Sequence, residues 1–437
     1  MCSEISALTA FIKHNPELTL LISNTLKSDI DFWLVGGCLR NTLLDLPQVD
    51  IDIACSGDPT VLTQAWAAEV SGDWFWLDSN RRQSRVLLQD GLTVDFSPLR
   101  APSIIEDLQL RDFTINALAL PLDKSFPNSK LLDPLGGVNH LLKKQLHSCS
   151  AQSFTDDPLR MLKGIRHAVA LDFELSAETL EQIISSAHLI VNVAGERSRD
   201  ELAKILNAEK NIKGIELLID TELLGVLFGS AGRYWDRLTA VVEIKSLNKK
   251  INEVGLTAEM GMSDSEKFDL FSVRAIFLLA RLLKYYSPSN LQELLHKRLR
   301  LSRYQQRLLE ELQNEPAAEL FSLVGTLVGQ RQQALLVEQL NPFAYEKMLY
   351  WGVYGNSLTL MRILELQKSF AAVQKLGRVP DLLNGRLISS LLKDSPNTQI
   401  GVWQLKLKLA EINEEISTPV QAENWLKSKL LFDNKEP

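Results

Sequence analysis

Two spacing patterns of hydrophobic residues divide the chain near residue 137. Before this point, short apolar stretches alternate with polar residues at every second position, which is typical of β-strands. This pattern predicts strands over residues 31–37, 49–55, 74–78, 84–90 and 91–97. Beyond residue 137, leucines recur at the helical period, most clearly over 157–171 and 197–206. The sequence therefore predicts an α+β head, a small mixed sheet with helices, followed by an all-α neck, body and tail.

Turn residues and helical stretches fill the gaps between the predicted strands. Asp90-Gly91 lies between the last two strands and indicates a hairpin. Residues 38–45 and 62–70 have helical spacing, and residues 1–30 are predicted to form one or two short amphipathic helices. We predict a head over 1–137, a helical neck over 138–206, and a helical body and tail over 207–437.

The composition excludes several classes of protein. Of the 437 residues, 45% are hydrophobic, and the net charge of -7 rules out a protein that coats nucleic acid through bulk positive charge. The four cysteines form no CxxC pair, which argues against a disulfide scaffold or a structural zinc site. The first residues do not resemble a signal peptide, and the longest apolar run, 275–283, is too short to cross a bilayer. We therefore expect a cytoplasmic protein that acts without a membrane.

Two glycines and two aspartates lie at the ends of neighbouring predicted strands. Gly36 and Gly37 follow the first strand, Arg40 comes shortly after them, and Asp50 and Asp52 lie one residue apart in the second strand. Residues i and i+2 of a strand point to one face, so both carboxylates can hold Mg²⁺ together. Glycine allows backbone N–H groups to approach a triphosphate, and Arg40 would add a positive charge. Two metal ions that bridge a triphosphate and an attacking hydroxyl are what nucleotidyl transfer requires.

A third carboxylate, Asp95, lies in the last predicted strand of the head and could bind the same metal ions. Each of these signals also has an ordinary explanation, because Asp-x-Asp is common on exposed strand faces and Gly-Gly is common in turns. Their order along the chain is much rarer by accident. We therefore predict catalytic roles for Asp50, Asp52 and Asp95, with Asp50 and Asp52 as the metal ligands.

Five sequence motifs in order resemble those of one family, the class II tRNA nucleotidyltransferases and bacterial poly(A) polymerases. The segment LVGGCLRNTLLDLPQVDIDIA, residues 34–54, resembles the first motif, and residues 111–120 and 131–137 are similar to the second and third. Residues 154–173 resemble the nucleotide-selecting helix of the family, and residues 195–206 resemble its last motif. This resemblance implies an enzyme that adds C and A from CTP and ATP to the tRNA 3′ end, releases pyrophosphate and needs Mg²⁺.

The resemblance also implies roles for individual residues. The positions that match nucleotide-binding residues of the family are Gly36, Gly37, Arg40, Arg111, Asp112, Asp157, Arg160, Lys163 and Arg166. Glu196, Arg197 and Glu201 match the last motif, which braces the selecting helix in the family. Leu110 departs from the pattern, because an arginine is usual at that position.

The selecting helix provides a physical basis for the choice of base. Asp157 and Arg160 are three residues apart and share a helical face. A carboxylate accepts from the amino group of cytosine or adenine, while a guanidinium donates to the ring nitrogen. Uracil and guanine reverse this polarity, which would leave buried groups unpaired at a cost of about 1–3 kcal/mol each. The alternative is that Asp157 caps a helix whose first residue is Pro158.

The segment between Asp95 and Arg111 is short. It contains only residues 96–110, whereas CCA-adding members of the family carry a longer, flexible segment that implies a switch from CTP to ATP. Members without this segment resemble CC-adding enzymes. We therefore expect mainly CC addition, with a separate enzyme adding the terminal A to the same tRNA.

A basic stretch in the second half of the chain is a candidate phosphate-binding surface. Residues 296–309 are predicted to form one helix with Arg300, Arg303 and Arg307 on one face. The candidate RNA-binding residues are Lys297, Arg298, Arg300, Arg303 and Arg307. The alternative is an exposed amphipathic helix.

Three other functions are compatible with parts of the pattern. A poly(A) polymerase would add only A, a catalytically silent RNA-binding protein would lack a carboxylate, and a small-molecule nucleotidyltransferase would not need the selecting helix. Aromatic residues make up only 7% of the chain, which gives little material for stacking on long single strands. The low aromatic content favours tRNA over poly(A) tails.

Overall fold

The computed structural model describes most of the first half of the chain and separate parts of the second half. The described residues are 9–10, 12, 14–47, 50–123, 126, 129–229, 237–253, 270–284, 288–314, 335, 343–354, 381–392, 397–412 and 415–433. The chain divides into two compact units, residues 1–237 with 296–300, and residues 238–295 with 301–437. Residues 207–237 therefore lie in the same unit as the head and the neck.

A six-stranded mixed sheet forms the head, in the order β3-β4-β5-β2-β1-β6. The strands are β1 Phe32–Val35, β2 Asp50–Cys55, β3 Asp73–Asp78, β4 Gln83–Leu87, β5 Thr93–Pro98 and β6 Ala119–Pro121. Strands β2 and β5 are parallel, and the other neighbours are antiparallel. The five predicted strands and the hairpin at Gly91 are confirmed, although residue 49 lies outside the described residues.

The alternation in β2 decides which side chains face the core. Ile51 and Ile53 are buried, so Asp50 and Asp52 point to the opposite face of the sheet. Burial of each isoleucine contributes about 1.5–3 kcal/mol, and a one-residue slip would place both aspartates in the core. The hydrophobic pattern of this strand thus fixes the position of the acidic pair.

Short helices surround the sheet and continue into the neck. Those of the head are Pro16–Thr25, Gly37–Leu43, Thr60–Glu69, Ile104–Gln109 and Gly137–Leu142, with a 3₁₀ turn at Thr114–Asn116. Those that follow are Ser153–Asp156, Leu159–Leu171, Ala177–Ser186, Ala187–Asn192 (3₁₀), Gly195–Asn207, Asn211–Asp220 and Leu223–Phe228. We call Leu159–Leu171 the selecting helix and Gly195–Asn207 the bracing helix. Two-residue strands at Gln145–Leu146 and Glu174–Leu175 pair in parallel; they are too short to show a period in the sequence.

The selecting helix packs against both the bracing helix and the head. Leu162 and Ile165 are fully buried on the selecting helix, as is Leu202 on the bracing helix. On the head side, the ring of Phe113 lies against the backbone of Gly164, where an added Cβ would be 2.8 Å from Phe113 Cζ. Phe113 directly follows Arg111-Asp112 in sequence, so this contact places that pair beside the selecting helix.

The second unit is helical in its described parts. The described helices beyond residue 236 are Arg237–Glu253, Val273–Leu282, Pro288–Glu293, a π-helical turn Leu294–Arg298, Arg303–Gln313, Ala344–Tyr354, Gly385–Leu392, Asn397–Ile412 and Pro419–Asp433. The apolar run 275–283 is a buried core helix, and its Arg281 pairs with Glu243 at 2.5 Å. Within the described residues, no helix combines the length and apolar character that crossing a membrane requires.

The prediction of one continuous helix over 296–309 is wrong. Arg300 has a left-handed backbone with φ of 45°, and Ser302 begins a new helix, Arg303–Gln313, with a capping box that includes Gln305. The Ser302 hydroxyl accepts from the backbone N–H of Gln305, and the Gln305 side chain accepts from the backbone N–H of Ser302. These two hydrogen bonds favour a helix that begins at this point. Arg300 therefore does not share a helical face with Arg303 and Arg307.

Gly137 offers a test of how the head packs. A Cβ on Gly137 would lie 2.2 Å from the Thr114 carbonyl oxygen, so Gly137→Ala forces the backbone to move. We expect a loss of about 2 kcal/mol or more in the free energy of unfolding, measured by urea denaturation.

Gly225→Ala is the matched control, because an added Cβ at this helical glycine meets no atom within 4 Å. Alanine has the higher helix propensity, so this variant should gain up to about 1 kcal/mol. Equal stability of the two variants would contradict the described packing of Gly137.

Candidate active site

A cavity of about 330 Å³ lies beside strands β1, β2 and β5 and the selecting helix. Six residues that the sequence singled out line it, namely Asp52, Arg111, Asp112, Asp157, Arg160 and Lys163. The other lining residues are Val35, Ile53, Ala54, Arg81, Gln83, Ser97, Pro98, Arg100 and Asp107. The cavity thus joins head residues between Val35 and Asp112 to Asp157, Arg160 and Lys163, which come at least 45 positions later in the chain.

Asp50 and Asp52 lie on one face of β2, as predicted. The parallel register with β5 places Asp52 opposite Asp95 and Asp50 opposite Thr93, whose hydroxyl donates to Asp50 Oδ1. Burial and the neighbouring charge of Asp95 raise the pKa of Asp52 to about 6, although Arg111 opposes this rise. A cation beside Asp52 would relieve this crowding of negative charge, so the pair has the oxygen chemistry that a hard divalent cation prefers.

Asp95 is bound by an arginine. Arg85 lies opposite Asp95 in the β4–β5 register and donates from Nε to Oδ1 at 2.6 Å and from Nη2 to Oδ2 at 2.8 Å. Each carboxylate oxygen of Asp95 therefore accepts one hydrogen bond from Arg85. No three His, Cys, Asp or Glu side chains of the described residues converge to hold a metal ion.

The turn at Gly36 brings opposite charges together. Its φ is 75°, and an added Cβ would lie 3.1 Å from Asp52 Oδ2 and 3.3 Å from Arg111 Nη1. A side chain at this position would therefore be strained and would meet both groups. Gly37 begins the helix Gly37–Leu43 and has only the Arg40 guanidinium nearby, 3.5 Å from an added Cβ. The turn thus lets Asp52 and Arg111 lie against bare backbone.

Arg40 does not line the cavity, and each of its side-chain nitrogens donates a hydrogen bond within the protein. Nη1 donates to Asn116 Oδ1 at 2.7 Å, and Nε and Nη2 both donate to Asn41 Oδ1. Burial and the charge of Arg166 lower the pKa of Arg40. Asn116 in turn donates to Asp112 Oδ1 at 3.1 Å. Arg40 is therefore connected to the cavity through Asn116 and Asp112.

Arg111 keeps donors for an anion. Nη2 donates to Asp107 Oδ2 at 3.2 Å, whereas the buried Nε has no hydrogen-bond partner among the described residues. An unpaired buried N–H costs free energy, so these contacts satisfy the Arg111 guanidinium only in part. The neighbouring Asp112 accepts a hydrogen bond from the backbone N–H of Phe113 at 2.8 Å. Burial opposes ionisation of Asp112, but the charges of His167 and Lys163 and the hydrogen bond from Asn116 lower the pKa of this carboxyl overall.

Asp157 both caps the selecting helix and lines the cavity. Its Oδ1 accepts from the backbone N–H of Leu159 at 3.2 Å, and its Oδ2 accepts from Arg197 Nη2 at 3.4 Å. Arg160 is held by carbonyl oxygens of the head, donating from Nη2 to Leu110 O at 2.8 Å and from Nη1 to Arg111 O at 3.3 Å. The capping role and a base-contacting role of Asp157 are therefore compatible.

The bracing helix contacts the selecting helix through Glu201 and the capping residue Asp157 through Arg197. Arg166, which lies outside the cavity lining, donates from Nε to Oε2 of the buried Glu201 at 2.6 Å. Glu196 pairs with Arg300 at 2.6 Å.

Arg298 donates to the Val226 carbonyl at 3.1 Å, so Arg298 and Arg300 both make intramolecular contacts in the first unit. The RNA-binding roles of Arg298 and Arg300, and of Lys297, Arg303 and Arg307, stay predictions.

Sequence reasoning missed Arg100 and Asp107, which lie in the short segment 96–110. A signal was available, because Ser103 and Glu106 have the spacing of a capping box and indicate a helix. The structure contains this box and the helix Ile104–Gln109, whose buried face includes Asp107. The segment is thus a short ordered connection that contributes to the cavity.

Known protein families match two regions of the chain. The family profile "Poly A polymerase head domain" matches residues 32–147, and the profile "Probable RNA and SrmB- binding site of polymerase A" matches residues 172–231. A CC-adding tRNA nucleotidyltransferase from Geobacter sulfurreducens is 33% identical over 412 residues, which cover 91% of this chain and 92% of that protein.

Solved structures agree in fold. A complex of a CCA-adding enzyme with CTP has a TM-score of 0.67 at 22% identity and covers 97% of this chain and 96% of its own. The Thermotoga maritima CCA-adding enzyme complexed with tRNA has a TM-score of 0.66 at 21% identity, with 95% and 96% covered. These likenesses confirm the predicted α+β head and helical remainder. By its similarity over nearly its whole length, the chain belongs to the family of class II tRNA nucleotidyltransferases and bacterial poly(A) polymerases.

Proposed function

We propose that this protein adds cytidine nucleotides from CTP to the 3′ end of tRNA without a nucleic-acid template. The observation that carries the proposal is a single cavity that contains Asp52, Arg111 and the pair Asp157 and Arg160. In the reaction, the 3′ oxygen of the RNA attacks the α-phosphate of CTP, and pyrophosphate leaves. The reaction needs no protein nucleophile. The CC-adding relative with 33% identity supports this choice of substrates.

Asp50 and Asp52 would hold Mg²⁺, because two adjacent carboxylates leave room for the phosphate and water ligands that this ion prefers. When bound, the ions would supply charge stabilisation at the reacting phosphate. The chain itself orients the triphosphate. Arg111 lines the cavity with its Nη1 beside the Gly36 turn, so its guanidinium is well placed to bind phosphate oxygens.

Asp157 and Arg160 would choose the base. The carboxylate of Asp157 accepts from the cytosine amino group, and the Arg160 guanidinium donates to the ring nitrogen. The backbone carbonyls of Leu110 and Arg111 fix the direction of Arg160, and Arg197 fixes that of Asp157. Fixed hydrogen-bonding groups discriminate well, because an incorrect base leaves them unpaired.

We further propose that the main product is CC rather than CCA. The support is the short connection 96–110, in which a capped helix leaves no long segment that could re-arrange the cavity for ATP. A separate enzyme would then add the terminal A. The second candidate function is poly(A) synthesis on RNA 3′ ends, which the matched head-domain profile also accommodates.

A nucleotide-addition assay tests these proposals. Transfer RNA that lacks its last three nucleotides is incubated with CTP, ATP or both, and products are separated at one-nucleotide resolution. We expect two C residues with CTP, and the same main product with both nucleotides. A complete CCA end would contradict the CC preference, and long A tails with ATP alone would favour poly(A) synthesis.

Asp157→Ser should relax the choice of base. Serine keeps a helix-capping oxygen but removes the carboxylate that accepts from the amino group. We expect the ratio of kcat/KM for CTP over UTP to fall by about tenfold or more, since one unpaired buried group costs about 1–3 kcal/mol. Asp156→Ala is the control, because Asp156 is exposed and lies outside the cavity lining. An unchanged ratio in Asp157→Ser would exclude Asp157 from base choice.

Asp52→Asn and Asp95→Asn should differ strongly. Loss of a metal ligand removes several kcal/mol of stabilisation, so Asp52→Asn should lower kcat for C addition by about 100-fold or more. Asp95→Asn removes a charge that Arg85 already neutralises, and a loss below about tenfold is expected. If both variants lose activity equally, Asp95 also binds metal.

A further inference from the structure

A buried carboxylate lies behind the arginines of the cavity. The Asp107 side chain is only 3% exposed. Its Oδ1 accepts from the backbone N–H and from Nε of Arg100, at 3.0 and 3.1 Å, and its Oδ2 accepts from Arg111 Nη2 at 3.2 Å. Burial opposes its ionisation, but the hydrogen bonds from Arg100 and the charge of Arg111 lower the pKa of Asp107 overall. Asp107 is therefore an ionised group between two guanidinium groups at neutral pH.

The backbone of residues 107–111, which includes Asp107, also holds the side chain of Arg160. Leu110 O accepts from Arg160 Nη2 at 2.8 Å, and Arg111 O accepts from Arg160 Nη1 at 3.3 Å. Arg100 adds a bond from Nη2 to the Asp107 carbonyl at 3.3 Å. The backbone from Asp107 to Arg111 is therefore tied to Arg100 on one side and to the selecting helix on the other.

We propose that Asp107 is a positioning residue for nucleotide binding. Asp107 accepts a hydrogen bond from the Arg111 guanidinium directly. Through Arg100 it also fixes the backbone of residues 107–111, whose carbonyls at Leu110 and Arg111 bind Arg160. Direct contact of Asp107 with CTP is unfavourable, because its charge would repel the triphosphate and its side chain is only 3% exposed. Its effect on the reaction is therefore exerted through Arg111 and Arg160. This inference rests on the proposed roles of these two arginines.

A double-mutant cycle tests the coupling. The variants are Asp107→Asn, Arg111→Met and the double variant, and KM and kcat for CTP are measured for each with tRNA at saturation. In Asp107→Asn the amide N–H groups face the Arg111 guanidinium, so this arginine loses its acceptor. We expect KM for CTP to rise about tenfold with a smaller change in kcat, and Asp107→Asn to raise KM by a smaller factor in the Arg111→Met background than in the unsubstituted protein, because only the route through Arg160 remains there.

The outcomes separate this inference from the proposed function. If Arg111→Met leaves KM for CTP unchanged, the proposed phosphate-binding role of Arg111 fails. If Arg111→Met raises KM but the effect of Asp107→Asn is absent or adds independently, only the positioning role fails.

Arg100→Met gives a second test that keeps the Asp107–Arg111 pair. The Arg100 side chain is 46% exposed, so its replacement should leave the fold intact. Loosening the turn should release Arg160, and we expect incorporation of UTP relative to CTP to rise about threefold or more. A purely structural role for Asp107 predicts lower thermal stability with no change in this ratio, and that result would overturn the inference.

Discussion

The contact between the Phe113 ring and the backbone of Gly164 keeps the two parts of the site together. Phe113 directly follows Arg111 and Asp112, and Gly164 directly follows Lys163, a cavity-lining residue of the selecting helix. Any side chain at residue 164 would push the ring away, because an added Cβ would be 2.8 Å from Phe113 Cζ. An apolar contact thus holds Arg111 and Asp112 close to the helix that carries Arg160 and Lys163, and the hydrogen bonds of Arg160 to the carbonyls of Leu110 and Arg111 add to it.

Opposite charges are distributed unevenly around that cavity. Arg85 neutralises Asp95, and Arg100 and Arg111 neutralise Asp107, whereas burial and Asp95 raise the pKa of Asp52. The ionised form of Asp52 is therefore stabilised less than that of Asp107. Asp95 and Asp107 thus form ion pairs with arginines, whereas binding of a cation would stabilise the ionised form of Asp52, the carboxylate proposed to hold metal.

Much of the architecture could be predicted from local patterns. The period-two alternation placed Asp50 and Asp52 on one face, because strand geometry follows directly from residue number. The expected shared helical face of Asp157 and Arg160 is wrong, since Asp157 has an extended backbone with φ of -144° and precedes the selecting helix, although both residues line the cavity. The Arg85–Asp95 pair could not be predicted in this way, since it depends on the register of a hairpin. The hydrogen bonds of Arg40 also depend on tertiary structure, because its partner Asn116 is distant in sequence. The break at Ser302 was missed because helical spacing of basic residues outweighed the local capping signal.

The docking of residues 296–300 in the first unit has a consequence for synthesis on the ribosome. Arg300 pairs with Glu196 and its carbonyl accepts from Arg199 Nη1 at 2.9 Å, while an added Cβ on Gly195 would be 2.4 Å from the Arg298 carbonyl oxygen. The N-terminal end of the bracing helix is therefore covered by a segment translated about 100 residues later. Domains generally fold as the chain emerges, N-terminal part first. In this protein the N-terminal end of the bracing helix is therefore covered only after residues 296–300 have been synthesised.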